Sequence, residues 1–262
     1  MPAFQFDCQA HELPPAIARL SLTLEPDAAL AAFLDRTERL RPGRLRTGLQ
    51  RWLSGLVGDF DANALLGMYP MHLLSTEQWK ALLEPEKDLR LLDVGAGSGD
   101  VSLALAPLFC EVVTTEVSRA MAFRLRRRGL RCELRDVALS GAPDPPYDVV
   151  SCLNVLDRSA HPRSLLDRAR DALVPSGRLV VALALPYSPF YYAGGDSLDP
   201  IEALPLGRES WTKDVSALID AVLEPLGFEL EKLARAPYIS GGDAREAHYV
   251  LDDAIVIARR SF

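Results

Sequence analysis

Apolar residues recur every three or four positions along 26–40 and again along 45–60, the spacing that gathers them on one face of a helix. Ser75-Thr76-Glu77-Gln78 follows, a hydroxyl with an amide three residues on, which predicts a capped helix running to Leu83 and closed by Pro85. Nothing in residues 1–84 reads as a strand, so this part is expected to be a helical N-terminal cap on a second domain over 85–262. From Leu89 the texture changes. Short apolar runs at 89–94, 111–115, 130–134, 147–153, 177–185, 228–233 and 249–258 alternate with stretches long enough for helices, notably 118–128, 162–173 and 211–226. Such alternation predicts an α/β fold, a mostly parallel sheet wrapped by helices. Residues 186–206, rich in Pro, Gly and Tyr, are too long for an idle connection and are expected to act as a lid.

Composition narrows the partners. A chain of 262 residues makes one elaborated domain or a domain with a subdomain, and 48% hydrophobic with 25% charged residues excludes disordered, collagen-like and coiled-coil classes. The net charge of −7 gives no long-range attraction to phosphate backbones, so no nucleic acid is expected. The longest apolar run, 179–185, is far short of the roughly 20 residues that cross a bilayer, and the first twenty residues lack a basic segment leading into an apolar one. The expectation is an intracellular, cytoplasmic monomer without a membrane span. Cys8, Cys110, Cys132 and Cys152 are far apart and form no metal or redox motif.

The sharpest local feature is Leu91-Leu92-Asp93-Val94-Gly95-Ala96-Gly97-Ser98-Gly99-Asp100, an apolar strand running into a glycine turn and then a helix. Gly95 and Gly97 let backbone approach a ligand, and the helix N-terminus offers unpaired N–H groups. Glu116 follows the next strand, 21 residues after Gly95, where a carboxylate can accept from both hydroxyls of a ribose. Two cofactors suit this arrangement. Asp100 stands where a dinucleotide site has glycine, and its charge would repel a pyrophosphate. S-adenosylmethionine has no phosphate and carries a sulfonium and an ammonium, which suits Asp93, so the methyl donor is the expected cofactor. Asp136, after the third strand, is placed either to accept from an adenine amino group or to be a surface turn acid. Asn154 and Asp157 follow the fourth strand, where they either face the reacting methyl or cap a helix.

These segments carry a resemblance. Leu-Leu-Asp-Val-Gly-Ala-Gly, Thr-Glu-Val-Ser, Ser-Cys-Leu-Asn-Val-Leu-Asp-Arg, Ala-Leu-Pro-Tyr, Arg-Ala-Pro-Tyr and Tyr-Val-Leu-Asp-Asp occur in this order between about Leu65 and Ile257. The chain resembles the DREV family, also called methyltransferase-like protein nine. The resemblance implies a seven-stranded class I, Rossmann-like methyltransferase fold with S-adenosylmethionine as donor. It also implies methylation of the imidazole pros nitrogen, giving 1-methylhistidine, in proteins or peptides with His-x-His motifs. It places Asp93, Gly95, Glu116 and Asn154 around the cofactor and Asn154, Asp157, Tyr238 and Tyr249 around the histidine. The sequence departs from the family at 65–71, where Gly-Arg-Gly-Ser-Met is usual, and at His248, where Tyr is common.

Charge patterning adds two readings. The run Arg124-Leu125-Arg126-Arg127-Arg128 is expected to be a solvated helix face, and Asp243, Glu246, Asp252 and Asp253 form an acidic surface, either simply solvated or suited to a His-rich peptide. The chain's own His11, His72, His161 and His248 never stand as His-x-His. A histidine-dipeptide methyltransferase and a cofactor-binding relative without catalysis are the alternatives to a protein-histidine enzyme.

Overall fold

A computed structural model of the chain describes residues 4–40, 43, 48, 52, 66, 68–86, 88–193, 196–243 and 246–261. The predicted parallel strands form: β3 (Arg90–Val94), β4 (Glu111–Glu116), β5 (Arg131–Leu134), β6 (Tyr147–Leu153) and β7 (Leu173–Ala184). Two long strands, β10 (Phe228–Gly241) and β11 (His248–Arg260), complete the seven-stranded core in the order β10-β11-β7-β6-β3-β4-β5. All neighbours from β5 to β7 run parallel, and β11 runs antiparallel to both β7 and β10.

Helices connect the parallel strands: α4 (Asp100–Leu105), α5 (Arg119–Arg127), the single turn α6 (Val137–Ser140), α7 (Pro162–Ala172) and α8 (Trp211–Ala217). Chain order reverses between β3 and β6, whose C-terminal ends therefore diverge and open a crevice, the usual ligand position in an open α/β sheet.

The N-terminal part contains α1 (Pro15–Ala18), α2 (Ala28–Arg39) and α3 (Thr76–Leu83). Asp27 caps α2, and Ser75 with Gln78 forms the predicted capping box on α3. Of the second predicted helix, 45–60, only Gly48 and Trp52 are among the described residues, and both are helical. The expectation of no strand before 85 is corrected by two short ones: β1 (Ser21–Leu22) pairs parallel with β10 and β2 (Met71–His72) pairs antiparallel with it. Two residues are too few to show an alternation of faces, which is why neither is visible as a pattern.

Other boundaries also move. β10 continues eight residues beyond its apolar run, through Ala234-Arg235-Ala236-Pro237, because β11 pairs with it as far as Gly241 opposite His248. Residues 186–206 contain a small hairpin, β8 (Tyr191–Ala193) with β9 (Asp196–Leu198), and the helix predicted over 211–226 changes after Ala217 to a wider turn and then a tight one.

Both faces of the sheet are covered. Leu91, Val149, Val180, Ala182, Ile255 and Ile257 pack on one side against Leu30, Phe33, Trp79 and Leu82 of the N-terminal part, so α2 and α3 close this face. Leu92, Val150, Val181 and Val256 pack on the other side against Leu165, Leu166, Trp211 and Val215. A polar tie adds to the first contact, with Thr37 Oγ1 of α2 2.6 Å from His248 Nε2 at the start of β11. Trp79 is fully buried in the shared core, so Trp79→Ala should destabilise the whole protein by about 3–5 kcal/mol, read as a single shifted urea transition. A separate early transition would show instead that the N-terminal part unfolds on its own.

Candidate active site

The glycine turn is stitched to the end of β4. Gly95 and Ala96 N–H both donate to Thr115 O at 3.0 and 3.1 Å, and Gly97 N–H donates to Glu116 Oε2 at 2.9 Å. The other Glu116 oxygen accepts from the N–H groups of Val117 and Ser118 at 2.8 and 3.0 Å, so the carboxylate is fixed beside the turn. Gly95 has φ of 69°, and a Cβ there would come within 2.7 Å of Val155 Cγ2. Glycine thus allows the β3 turn to touch the segment after β6. Gly97 has φ of 55°, and a Cβ there would meet no atom within 4 Å, leaving a cradle next to Glu116. This is the open backbone and fixed acid that a nucleoside requires.

Asp93 lies beneath the turn. Its oxygens accept from Ser102 Oγ at 2.5 Å and Ser151 Oγ at 2.7 Å, tying β3 to α4 and β6. Its exposure is only 2%, so its contacts are with the protein itself, bracing the strand that leads into the turn. Asp136 caps α6, accepting from Leu139 N–H at 3.3 Å, which favours the turn-acid reading over the adenine one. Asp100 accepts from Met71 N–H at 3.1 Å and Ser98 Oγ at 2.7 Å and pairs with Arg128 at 2.6 Å. The reading of 124–128 as a solvated face holds for Arg126 and Arg127, which are exposed, and is corrected in part: Arg128 also donates to Ser98 O and Arg126 donates twice to Cys132 O, so two of these arginines brace the fold as well.

The second constellation forms around Asn154, which leaves β6 with φ of 53°, a left-handed conformation that Asn tolerates better than most residues. Its Nδ2 donates to Asp253 Oδ2 at 2.6 Å. Asp157 is 2% exposed, pairs with Arg158 at 3.1 Å, and accepts through its backbone oxygen from Phe190 N–H at 2.9 Å. Asp253, read from sequence as part of an acidic surface, is fully buried, and Asp252 beside it is held by Arg235 at 2.9 and 2.5 Å. An acid entering the run Ala254–Ala258, in a strand buried on both faces, is the signal that could have found it.

Three acceptor oxygens here are buried without a partner among the described residues: Asn154 Oδ1, Asp157 Oδ1 and Asp253 Oδ1. Burial pushes the Asp157 carboxyl up, against the pull of Arg158. Asp253 is pushed well up by burial, lowered in part by the Asn154 hydrogen bond, and raised again by the charges of Asp157 and Asp252. Tyr238 donates its hydroxyl to Met71 Sδ, and burial together with the charges of Asp253, Asp157 and Asp100 keeps its phenol protonated. Asn154, Asp157 and Tyr238 are thus brought together, with Asp253 added. Tyr249 is not. It is 42% exposed, four residues or about 13 Å along β11 from Asp253, with its ionisation pushed up by desolvation and by Asp243.

Buried acceptors left without partners fit a ligand that brings positive charge and N–H groups, which the sulfonium and ammonium of S-adenosylmethionine do. Among the described residues no group of three His, Cys, Asp or Glu is set to hold a metal, and no helix is long and apolar enough to cross a membrane.

Burial raises the Asp93 carboxyl from 3.8 to about 6, with the Ser102 and Ser151 hydroxyls pulling it down and Glu116 pushing it up. Folding therefore takes up a proton at Asp93 between these values, and the associated stability is present below pH 3.8 and lost as pH rises through about 6. Urea midpoints of the ligand-free protein and of Asp93→Asn should diverge in favour of the variant by about 1–3 kcal/mol between pH 4.5 and 7. A difference that does not change with pH would show that Asp93 is ionised at little cost.

Known proteins resemble the chain in family and fold. The profile of the DREV methyltransferase family matches residues 6–260. Curated relatives include ubiquinone biosynthesis O-methyltransferases from Azorhizobium caulinodans, 28% identical over 58% of this chain and 63% of the relative, and from Ruegeria pomeroyi, 30% identical over 54% and 62%. Another from Xylella fastidiosa is 27% identical over 43% of this chain and 50% of its own length, so the chain spans about half to two thirds of these proteins. Among solved structures, a provisionally assigned methyltransferase from Bacillus halodurans has a TM-score of 0.50 at 16% identity, covering 71% of this chain and 99% of that one. The N-methyltransferase NodS from Bradyrhizobium japonicum has a TM-score of 0.47 at 15% identity, covering 71% and 84%. Matched over nearly its whole length, the chain belongs to the DREV methyltransferase family, with a class I fold and S-adenosylmethionine as methyl donor.

Proposed function

We propose that this enzyme methylates the pros nitrogen of histidine in His-x-His segments of proteins or peptides, and the observation that carries the reading is the set of orphaned acceptors on Asn154, Asp157 and Asp253. A bound donor supplies an electrophilic methyl on a sulfonium. What the chain must do is present a nucleophile of the right charge in the right tautomer. Histidine, with an ordinary pKa near 6.5, is mostly neutral at pH 7 and needs no base to become a nucleophile.

Asp157 Oδ1 is the atom assigned to the tele N–H. By accepting it, the carboxylate fixes the tautomer whose pros lone pair is free and stabilises the imidazolium charge that grows as the nitrogen–carbon bond forms. The proton stays on the tele nitrogen through the transfer and leaves afterwards through the Asp157 carboxylate. Arg158 holds the other Asp157 oxygen and is itself stacked on Phe190, 3.9 Å from the ring centroid, so the acid is oriented from its outer side. Asn154 sits between the cofactor turn and the acceptor, through the contact of Val155 with Gly95. Tyr238, whose single O–H is given to Met71 Sδ, is a ring wall, and Tyr249 lines the exposed approach along which an extended peptide reaches the acceptor site.

An oxygen acceptor such as a phenol is the reading suggested by the names of the curated relatives. It must lose its proton to become reactive, and two buried carboxyls beside it oppose the resulting anion. A histidine-containing dipeptide would suit the same imidazole pocket and is separated from a protein substrate by the length of peptide accepted.

Incubated with S-adenosylmethionine and a peptide bearing His-Ala-His, the protein should place one methyl on a histidine pros nitrogen, located by fragmentation mass spectrometry, and none on an Ala-Ala-Ala control. Asp157→Asn, which keeps shape and removes charge, should lower turnover by about 100-fold with cofactor affinity retained. Turnover near that of the unmodified protein would remove Asp157 from the mechanism, and methylation of a phenolic acceptor in preference to the peptide would overturn the histidine reading.

A further inference from the structure

An asparagine amide can turn either its oxygen or its NH2 toward a pocket, and the backbone of Asn154 does not decide which. Asp253 does. Its Oδ2 accepts from Asn154 Nδ2 at 2.6 Å, which turns the amide nitrogen toward Asp253 and leaves Asn154 Oδ1 buried and without a partner among the described residues. The bond crosses an intervening strand: Asn154 follows β6, Asp253 lies on β11, and between them β7 carries Ala184 directly opposite Asp253. The small Ala184 side chain leaves room for the amide and carboxylate to meet above it. Asp253 is fully buried, far more than a solvated acid in a surface cluster would be, and its second oxygen is also unpartnered.

We propose that Asp253 is a positioning residue of the methyl-transfer site, holding the Asn154 amide so that its oxygen faces the cavity as an acceptor for the cationic end of the donor or the N–H of the acceptor. This rests on the reading that Asn154 and Asp157 bound the transfer site. A tie that served only to join β6 and β11 would work equally well with its two ends exchanged. A positioning role would not survive the exchange, because a carboxylate would then stand where the amide oxygen is needed.

That difference provides the test. Affinity for S-adenosylhomocysteine, by calorimetry, and turnover on the His-Ala-His peptide are measured for Asn154→Ala, Asp253→Asn, the two together, and the exchange of Asn154→Asp with Asp253→Asn, each checked by thermal melting. In whichever measurement Asn154→Ala causes a loss, about 10-fold or more for a hydrogen bond to a charged group, Asp253→Asn should cause a similar one. The double variant should be no worse than Asn154→Ala alone, since two residues acting through one interaction are not additive. The exchanged pair should melt close to the unmodified protein and stay impaired.

Full function in the exchanged pair, multiplied losses in the double variant, or no loss in Asp253→Asn or Asn154→Ala would each overturn the proposal. If the unmodified protein does not methylate the peptide, the histidine reading fails by itself, and the affinity series still decides the role of Asp253.

Discussion

Buried carboxyl groups gather at and just beyond the strand ends near the glycine turn, and the surroundings are built to tolerate them. An isolated buried charge costs several kcal/mol, so each acid must be answered by a donor or stay protonated. Asp93 is answered by two hydroxyls, Asp253 by an amide, and Asp157 by a guanidinium at the pocket margin. Because the donors come from different elements, satisfying the acids also locks the elements together. The crevice between β3 and β6 owes its fixed shape to these bonds as much as to its apolar floor.

Acids outside the pocket are treated differently. Asp100 at the glycine turn is paired with Arg128, and Asp252 is clasped by Arg235, whose guanidinium lies 4.6 Å from the Trp211 ring centroid. Full cationic partners thus neutralise the acids that shape the walls, while Asp253 and Asp93 have only neutral donors. The division leaves a local excess of acceptor character around Asn154, Asp157 and Asp253.

How much could be read in advance depended on range. The parallel strands, the glycine turn and the spacing to Glu116 are local patterns, and they stand where the sequence places them. Asn154 and Asp253 are 99 residues apart, and no periodicity links them. Asp252 and Asp253 are adjacent acids in a strand covered on both sides, so alternation alone could not say that one meets Arg235 and the other a pocket. Tyr238 and Tyr249 likewise follow matching Pro-Tyr and His-Tyr steps. They differ in exposure because β10 is flanked there by β2, whereas β11 at Tyr249 has β10 on one side and no strand among the described residues on the other. The arginines of 124–128 looked solvated because their acceptors, Ser98, Asp100 and Cys132, lie outside their own helix.

Met71 belongs to the segment in which this chain departs from its family, and it is held from two directions. Its N–H is bound by Asp100 at the start of the helix after the glycine turn, while its sulfur receives the Tyr238 hydroxyl from the acceptor side. One residue of the N-terminal part therefore links the helix after the glycine turn to β10. The two holds differ in kind: a different side chain at this position would release the Tyr238 hydroxyl and leave the backbone bond to Asp100 in place, so the helix after the glycine turn would keep its anchor while β10 lost one.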